Sequence, residues 1–205
     1  MKDTAAAGRA PVDGKRPGSR GPRRPTGRQL YQLKVTLLDT RPPVWRRLLV
    51  RGDTTLDLLH EIIQAAMGWY NSHLHTFTVD RVEYSMPNPE WDVVDERKVT
   101  LQALGLGPGR QFQYMYDMGD GWRHEIRVEK LVEAESAHPE RAVCLAGRRA
   151  CPPEDVGGTY GYRLFLRAMA NPKHRDHREM VEWIGRDFDP EDFDVEDVNV
   201  ELGDF

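Results

Sequence analysis

The sequence predicts an α+β fold, with a mixed or antiparallel sheet and helices packed on one face of it. Three observations predict this class. Two strand-like segments joined by a proline turn form a hairpin, a helix with a continuous apolar face follows, and a second hairpin precedes two C-terminal helices. The opening order β-β-α-β is similar to that of a β-grasp fold.

The first hairpin turns near residue 40. Residues 30–38 alternate apolar and polar side chains, which is the pattern of a half-buried strand. Pro42 and Pro43 then turn the chain, because proline fixes φ and removes a backbone donor. Residues 44–50 are predicted to form the second strand.

The strongest helix follows this hairpin. Thr54 or Thr55 can cap its N-terminus, and Gly68 can adopt the positive φ that ends a helix. Between them, apolar residues recur at helical spacing on one face: Leu56, Leu59, Ile63, Ala66 and Met67.

Short strands and turns make up most of the remainder. Strands are predicted at residues 74–79, 82–84, 111–116 and 122–132, a short helix or turn at 99–104, and helices at 160–170 and 174–184. The glycine-containing segment 117–121 links the second hairpin. We expect residues 86–97 to be irregular and residues 135–158 to form a long loop.

Composition limits the class of protein. The chain has 205 residues, of which 39% are hydrophobic and 30% charged, and two are cysteine. No apolar run reaches the roughly 18 residues of a membrane span, and the N-terminus lacks the apolar core of a secretory signal. These features exclude a membrane protein, a small secreted domain and a repeat array, and we expect a reducing, cytoplasmic location.

Charge divides the chain into two parts. Residues 1–28 hold eight Lys or Arg and two Asp, a charge of +6, and the whole-chain charge of −4 therefore leaves −10 on residues 29–205. The first part is rich in Gly, Pro and Arg, which predicts a disordered arm before a single domain over residues 29–205. The arm either solubilises the protein or contacts DNA or a mobile-element protein through Arg16, Arg20, Arg23 and Arg24.

The C-terminus has the opposite charge. Nine acidic residues and no Lys or Arg lie between residues 187 and 205. Phe188, Phe193, Val195 and Val198 are interleaved with these acids, so we expect the segment to pack on the body of the domain.

Two short segments carry His and Asp side chains suited to chemistry. His73 and His75 are two residues apart, so on a strand both would point to one face. There they could ligate a metal or move protons, or they could be polar residues of a half-exposed strand whose hydrogen bonds are satisfied. Asp117, Asp120 and His124 surround the glycine turn of the second hairpin. The aspartates can accept hydrogen bonds from backbone N–H groups of the turn, or they can offer oxygen ligands to a hard cation.

A third segment, residues 144–158, contains two cysteines and two acids. Paired thiolates with remote histidines can hold Zn²⁺, which gives the candidate metal ligands Cys144, Cys151, His124, His73 and His75. Alternatively, both thiols are free and pack as small hydrophobic groups. We expect this segment and the glycine turn to meet at one end of the sheet, forming a polar pocket of Asp117, Asp120, His124, Glu154 and Asp155.

Several long motifs together resemble the plasmid pRiA4b ORF-3-like family. They are Pro43-Val44-Trp45-Arg46-Arg47, Leu59-His60-Glu61-Ile62-Ile63-Gln64 with Met67-Gly68-Trp69, His73-Leu74-His75-x-Phe77, Tyr116-Asp117-x-Gly119-Asp120-x-Trp122-x-His124, Cys144-x-x-Gly147-x-x-x-Cys151-Pro152-Pro153-Glu154-Asp155-x-Gly157-Gly158 and Phe188-Asp189-Pro190. The resemblance spans about residues 30–199. It implies an α+β domain of plasmid and transposon neighbourhoods, whose members are labelled TnpR-type passenger proteins of insertion elements.

The sequence leaves two functions open. A phosphate-binding glycine loop, a nucleophile elbow, a His-Glu-x-x-His motif and a dinucleotide fingerprint are all missing, which favours a non-catalytic accessory module that interacts with DNA or a partner. The alternative is a metal-dependent hydrolase, acting for example on nucleic acid, that uses the predicted polar pocket around Zn²⁺ or another divalent cation.

Overall fold

A computed structural model describes residues 29–133 and 142–203 of the chain. Within these ranges the regular elements are strands β1 Gln29–Leu37, β2 Trp45–Arg51, β3 His75–Val79, β4 Val82–Ser85, β5 Val94–Asp95, β6 Gln111–Tyr116, β7 Trp122–Glu133 and β8 Ala142–Arg148, and helices α1 Leu56–Met67, α2 Gly158–Ala170, α3 His177–Ile184 and α4 Val195–Gly203. Two short 3₁₀ helices, Glu96–Lys98 and Leu101–Leu104, lie between β5 and β6.

The eight strands form one sheet in the order β5-β4-β3-β6-β7-β1-β2-β8. Every neighbouring pair is antiparallel except β4 with β5, so the sheet is mixed and the α+β class is confirmed. The predicted β-β-α-β opening is present, but β3 pairs with β6 rather than with β1. The similarity to a β-grasp is therefore one of element order.

One face of the sheet carries the core. In β1, Leu33, Val35 and Leu37 are buried while the alternate residues remain half-exposed. The apolar face of α1 joins the same cluster, as do Tyr162 and Phe165 of α2. Helices therefore cover one face of the sheet, and burial of their apolar side chains stabilises the fold.

Helix α1 ends where its sequence predicts. Gly68 has φ +82°, and its N–H donates to the carbonyls of Gln64 and Ala65. The left-handed conformation satisfies the last carbonyls of the helix and turns the chain toward Trp69. This turn directs the following residues, 69–73, to the candidate site.

The prediction of a long loop over residues 135–158 is wrong for residues 142–148, because these residues form strand β8. The strand is short and lies at the edge of the sheet, where it pairs only with β2. Its sequence mixes small residues with Arg and Gly, so alternation is weak. Residues 134–141 lie outside the described residues.

A third C-terminal helix, α4, also departs from the prediction of two. Valine and aspartate have low helix propensity, which hides this helix from a reading of its sequence. Packing supports it instead, because Leu202 is buried and Val198 packs against the core. The expectation that the acidic C-terminal segment packs on the body is confirmed for residues 187–203.

Smaller differences occur elsewhere. The predicted irregular segment 86–97 contains the two-residue strand β5, and α3 begins at His177 rather than at residue 174. The predicted arm, residues 1–28, lies outside the described residues. In the part that is described, no helix combines the length and the apolar character that crossing a bilayer requires.

Candidate functional site

Two loops that are distant in sequence meet at one end of the sheet. We call residues 117–121 the hairpin tip and residues 149–157 the Cys–Pro loop. The Asp120 carboxylate at the tip accepts a hydrogen bond of 3.1 Å from the backbone N–H of Gly157, at the end of the loop. The expected meeting of these two segments is therefore observed.

Asp117 builds the hairpin tip. The residue has φ +55°, and its Oδ1 accepts hydrogen bonds from the N–H groups of Gly119 at 2.8 Å and Asp120 at 3.3 Å. Gly121, with φ +67°, donates its N–H to the Asp117 carbonyl. One oxygen of the carboxylate thus makes the turn, and Oδ2 faces His73.

His73 lies between the tip and the loop. Its Nε2 is 3.7 Å from Asp117 Oδ2 and 3.2 Å from Asp155 Oδ1. The three ligand atoms lie within 4.8 Å of one another. Nε2 is shielded from solvent and makes no hydrogen bond of normal geometry. Imidazole nitrogen with two carboxylate oxygens is a donor set that divalent cations accept.

Glu154 is held by hydrogen bonds rather than free. Its Oε1 accepts from the Tyr116 hydroxyl at 2.5 Å and from the Tyr70 N–H at 3.2 Å. The same hydroxyl accepts from the N–H of Ser72 at 2.9 Å. Burial, followed by the bond to Glu154, raises the pKa of Tyr116 well above its ordinary value. Glu154 therefore ties the Cys–Pro loop to β6 and to the segment after α1.

His124 does not lie in the predicted polar pocket. Its side chain is fully buried, because positions 124, 126 and 128 of β7 all point into the core. The ring packs against Trp69 and Tyr114, with centroids 5.4 and 5.2 Å away.

Neither ring nitrogen of His124 has a hydrogen-bond partner of normal geometry. Burial lowers the pKa of His124 to about 4, and the nearby backbone of Tyr114 and Trp122 only partly opposes this fall. His124 is therefore a neutral core residue at neutral pH.

His73 and His75 do not share one face of a strand. Strand β3 begins at His75, so His73 belongs to the preceding loop and the alternation rule does not reach it. The His75 Nε2–H donates to the Glu96 carboxylate at 2.8 Å, and the ring stacks on His60 with ring centroids 3.4 Å apart. The two predicted ligands therefore point to different partners.

The cysteines do not complete a zinc site with these histidines. Both are free thiols, and Cys144 is buried in β8. Burial raises the pKa of both thiols, that of Cys151 to about 12. Within residues 29–133 and 142–203, His73, Asp117 and Asp155 form the one group of three potential ligands of these types, and it contains no cysteine. The alternative of thiols packed as hydrophobic groups agrees with this environment.

A buried network that the sequence reading missed lies behind the site. His60 Nδ1 is 2.7 Å from the Tyr114 hydroxyl, which also accepts from Gln64 at 2.9 Å, and His60 Nε2 is 2.6 Å from Asn71 Oδ1. Burial, together with the neighbouring His75 ring, lowers the pKa of His60 to about 3. The His60 side chain on the inner face of α1 was the available signal, because a histidine inside an apolar stripe needs partners.

A cleft of about 580 Å³ opens beside the two loops. It lies between the C-terminal end of α1, the Cys–Pro loop and the segment from α3 to α4. Eight acidic residues line it: Glu154, Asp155, Asp187, Asp189, Asp192, Asp194, Asp197 and Glu201. Aromatic and proline side chains share the wall, namely Trp69, Tyr70, Pro152, Pro153, Trp183, Phe188 and Phe193.

Two arginines, Arg46 and Arg186, line the cleft, and the Arg46 guanidinium is bound within the protein itself. Its guanidinium donates to the carbonyls of Ala66 at 2.8 Å and Arg148 at 3.2 Å and lies over the Phe193 ring at 4.5 Å. Burial lowers the pKa of Arg46. Among the described residues, no Lys, Arg or His comes within ion-pair distance of the six cleft acids between residues 187 and 201.

The sequence reading identified the acidic run but not the cleft. Phe188 and Phe193 were the available signal, because both anchor the run beside the Cys–Pro loop. The predicted nucleic-acid contacts Arg16, Arg20, Arg23 and Arg24 lie outside the described residues.

Comparisons with known proteins identify relatives over most of the chain. Residues 29–197 match the family model described as plasmid pRiA4b ORF-3-like protein. The uncharacterized protein y4hQ of Sinorhizobium fredii (strain NBRC 101917 / NGR234) is 43% identical over 159 residues, which cover 76% of this chain and 81% of that protein. The crystal structure of MM3350, a protein of unknown function from Methanosarcina mazei Go1, matches with a TM-score of 0.76 and 34% identity, covering 84% of this chain and 97% of the other.

Proposed function

The chain belongs to the plasmid pRiA4b ORF-3-like family, and we propose that it acts there as a non-catalytic interaction module. In this proposal the acidic cleft binds a basic segment of a protein partner encoded by the same mobile element. Its matched relatives are uncharacterised proteins, so the proposal is argued from the cleft itself.

The negative charge of the cleft is the observation that supports the proposal. Six acids from one segment face a common cleft, and among the described residues neither Arg46 nor Arg186, which also line it, comes within ion-pair distance of them. Like charges held together repel one another, and a cationic ligand relieves this repulsion. A basic segment is therefore the ligand class that this surface favours.

The aromatic side chains in the cleft wall indicate which kind of basic segment fits there. Tyr70 is 79% exposed and Trp183 is 45% exposed, so both rings offer open faces at the rim of the cleft. Arginine stacks on such rings, and proline-rich segments dock between aromatic side chains. A segment that contains both Arg and Pro matches the charge and the shape of this wall.

Binding of a labelled Arg- and Pro-containing peptide, measured by fluorescence polarisation, tests the proposal. The variant Asp187→Asn/Asp192→Asn/Asp197→Asn changes three exposed cleft acids and is expected to bind about tenfold more weakly, at about 0.5 kcal/mol for each exposed charge contact. The matched control is Glu83→Gln/Glu90→Gln/Asp92→Asn, which neutralises three exposed acids that do not line the cleft. Equal weakening in both variants would show a general charge effect and would defeat the proposal.

The basic arm supports a second contact, with DNA. Arg16, Arg20, Arg23 and Arg24 can neutralise phosphates, and binding through them would weaken steeply with salt. Replacing all four with Gln should lower the affinity of the full chain for duplex DNA and flatten its salt dependence. Unchanged affinity and salt slope would remove DNA from the proposal.

A metal-dependent hydrolase is the second candidate function, and the His73, Asp117 and Asp155 cluster favours it. A divalent cation on these three ligands would leave coordination positions for water, which the cation would activate. The cluster differs from the pocket predicted from sequence. Asp120 bonds to Gly157, Glu154 bonds to Tyr116, and His124 lies in the core.

Titration calorimetry with Zn²⁺ and Mn²⁺ tests this candidate. His73→Gln and Asp155→Asn should each abolish or strongly weaken binding, and both side chains are exposed enough for these changes to leave the fold intact. Cys151→Ser should bind as the unsubstituted chain does. Binding that needs Cys151 would instead support the ligand set predicted from sequence, and absence of binding would remove the candidate.

A further inference from the structure

We propose, resting on the cleft function above, that the resident occupant of the acidic cleft is the chain's own basic arm, residues 14–28. While it is bound there, the arm is not available to nucleic acid and the cleft is not available to a partner. Nucleic acid or a partner must first displace the arm from the cleft. Three observations support this inference: the opposite charges of the arm and the cleft, the composition of the arm, and the distance from its attachment point to the cleft.

The first observation is that the arm and the rest of the chain carry opposite charges. Residues 1–28 carry +6 while the remainder of the chain carries −10. On that remainder, six acids between residues 187 and 201 gather around one cleft, where they outnumber the lining residues Arg46 and Arg186 and form no ion pair within the described residues. Oppositely charged parts of one chain attract each other, most strongly at low ionic strength.

Composition is the second. Residues 14–28 read Gly-Lys-Arg-Pro-Gly-Ser-Arg-Gly-Pro-Arg-Arg-Pro-Thr-Gly-Arg, so arginines alternate with prolines over the whole segment. Prolines favour an extended polyproline conformation, which loses little entropy on docking. Guanidinium groups between the prolines can stack on Tyr70 and Trp183 and pair with the carboxylates beside them.

Reach is the third. The arm joins β1 at Gln29, and Arg46 in the cleft wall pairs with Val35, six residues further along β1. At about 3.3 Å per strand residue, the attachment point lies about 20 Å along the sheet from the cleft. An extended chain gains about 3.1 Å per residue, so about seven residues next to Gln29 span this distance, and residues 14–21, with Lys15, Arg16 and Arg20, remain for contact inside the cleft.

Tethering strengthens such a contact. A segment on a short linker sees its site at an effective concentration in the millimolar range, so even a weak separate affinity gives substantial occupancy. A DNA duplex would compete with the cleft for the same arginines. Partner binding in the cleft would then release the arm for phosphate contact.

The test measures binding of a fluorescein-labelled peptide of residues 14–28 to full-length proteins. In one protein the resident arm is neutralised by Arg16→Gln, Arg20→Gln, Arg23→Gln and Arg24→Gln. We expect the free peptide to bind this variant at least about tenfold more tightly than the unsubstituted chain, because the tethered competitor is lost. Adding Asp187→Asn/Asp192→Asn/Asp197→Asn to the variant should abolish the gain.

A charge-matched control is required, because removing four arginines also makes the protein more acidic. The variant Arg81→Gln/Arg163→Gln/Arg167→Gln/Lys173→Gln removes four exposed basic residues that do not line the cleft, and it should bind the peptide as the unsubstituted chain does.

Two results would overturn the inference, and they are distinguishable from each other. If the peptide binds the cleft equally tightly in the arm-neutralised and unsubstituted chains, the cleft function stands and self-occupancy is wrong. If the peptide binds neither chain, or binds both independently of the cleft acids, the cleft function and the self-occupancy fail together.

Discussion

Single glycines show how closely the hairpin tip, the Cys–Pro loop and α2 approach one another. Gly158 has φ +65°, and a Cβ there would lie 2.4 Å from the carbonyl oxygen of Asp120. A Cβ on Gly161 would lie 1.9 Å from the carbonyl oxygen of Val156. Both neighbours are backbone atoms, so a side chain at either position must displace a whole segment.

Gly161→Ala should therefore destabilise the protein by about 1–3 kcal/mol or more, the range of overpacking substitutions. Urea unfolding followed by tryptophan fluorescence measures the change. Gly107→Ala is the control, because a Cβ on Gly107 meets nothing within 4 Å and its φ is not positive. Equal midpoints for the two variants would contradict the close approach described here.

Buried histidines make stability depend on pH. The pKa of His60 lies near 3 and that of His124 near 4 in the folded protein, both below the ordinary value of 6.5. As pH falls below 6.5 the unfolded chain takes up these protons and the folded chain does not, so folding stability is lost from about pH 6.5 down to about pH 4 for His124 and about pH 3 for His60. The expected loss from pH 7 to pH 5 is about 2 kcal/mol for each histidine.

His124→Leu tests this assignment. Leucine removes the titrating ring and two unpartnered nitrogens from an aromatic environment, so the free energy of unfolding should fall less steeply with pH than in the unsubstituted chain. Urea midpoints at pH 7 and pH 5 give the slope. An unchanged slope would mean that the pKa of His124 is the same in the folded and the unfolded chain, which would contradict this assignment.

Residue roles set by local chemistry were predictable, whereas roles set by tertiary register were not. Asp117 makes a glycine turn, which its sequence neighbours indicate. His124 and Asp120 lie four residues apart, yet strand alternation turns His124 into the core. His73 lies two residues before His75, in the loop that precedes β3, and only the position at which β3 begins determines this.

At the scale of elements, β8 and α4 stabilise each other. Asn199 of α4 accepts a hydrogen bond of 2.7 Å from the Cys144 N–H and donates one of 3.0 Å to its carbonyl. One amide side chain thus satisfies both backbone groups on the outer edge of β8. Covering an edge strand in this way also protects it from pairing with other chains.

Asn199→Ala should cost about 1–3 kcal/mol, because it leaves two backbone groups of a partly buried edge without partners. Val200→Ala, at a neighbouring position that is 67% exposed, is the control and should change stability little. Hydrogen exchange of the Cys144 amide adds a local measurement. If the Cys144 amide exchanged as slowly in Asn199→Ala as in the unsubstituted chain, the hydrogen bond from Cys144 to Asn199 would not protect this amide.

This mutual support explains which elements the sequence could reveal. Helix α1 has an apolar face and a terminal Gly68, so periodicity alone identifies it. Strand β8 and helix α4 have weak patterns and depend on contacts between residues 55 positions apart. A reading that moves along the chain cannot detect such a pair.

At the scale of the whole molecule, the distribution of charge is the dominant feature. The sequence alone separates a basic arm of +6 from an acidic remainder of −10. The structure adds that many of the acids line one cleft with aromatic walls, beside the hairpin tip and the Cys–Pro loop. That placement depends on how α3 and α4 fold over the end of α1, which composition does not specify.

Site-specific photo-crosslinking tests the docking role of the cleft most directly. A benzoylphenylalanine is placed at position 70, whose Tyr side chain lies on the cleft rim, or at position 91, whose exposed Trp does not line the cleft. With the labelled peptide of residues 14–28 added to the arm-neutralised chain, we expect crosslinks from position 70 and few from position 91. Equal yields from both positions, or none from position 70, would show that the peptide does not dock in the cleft.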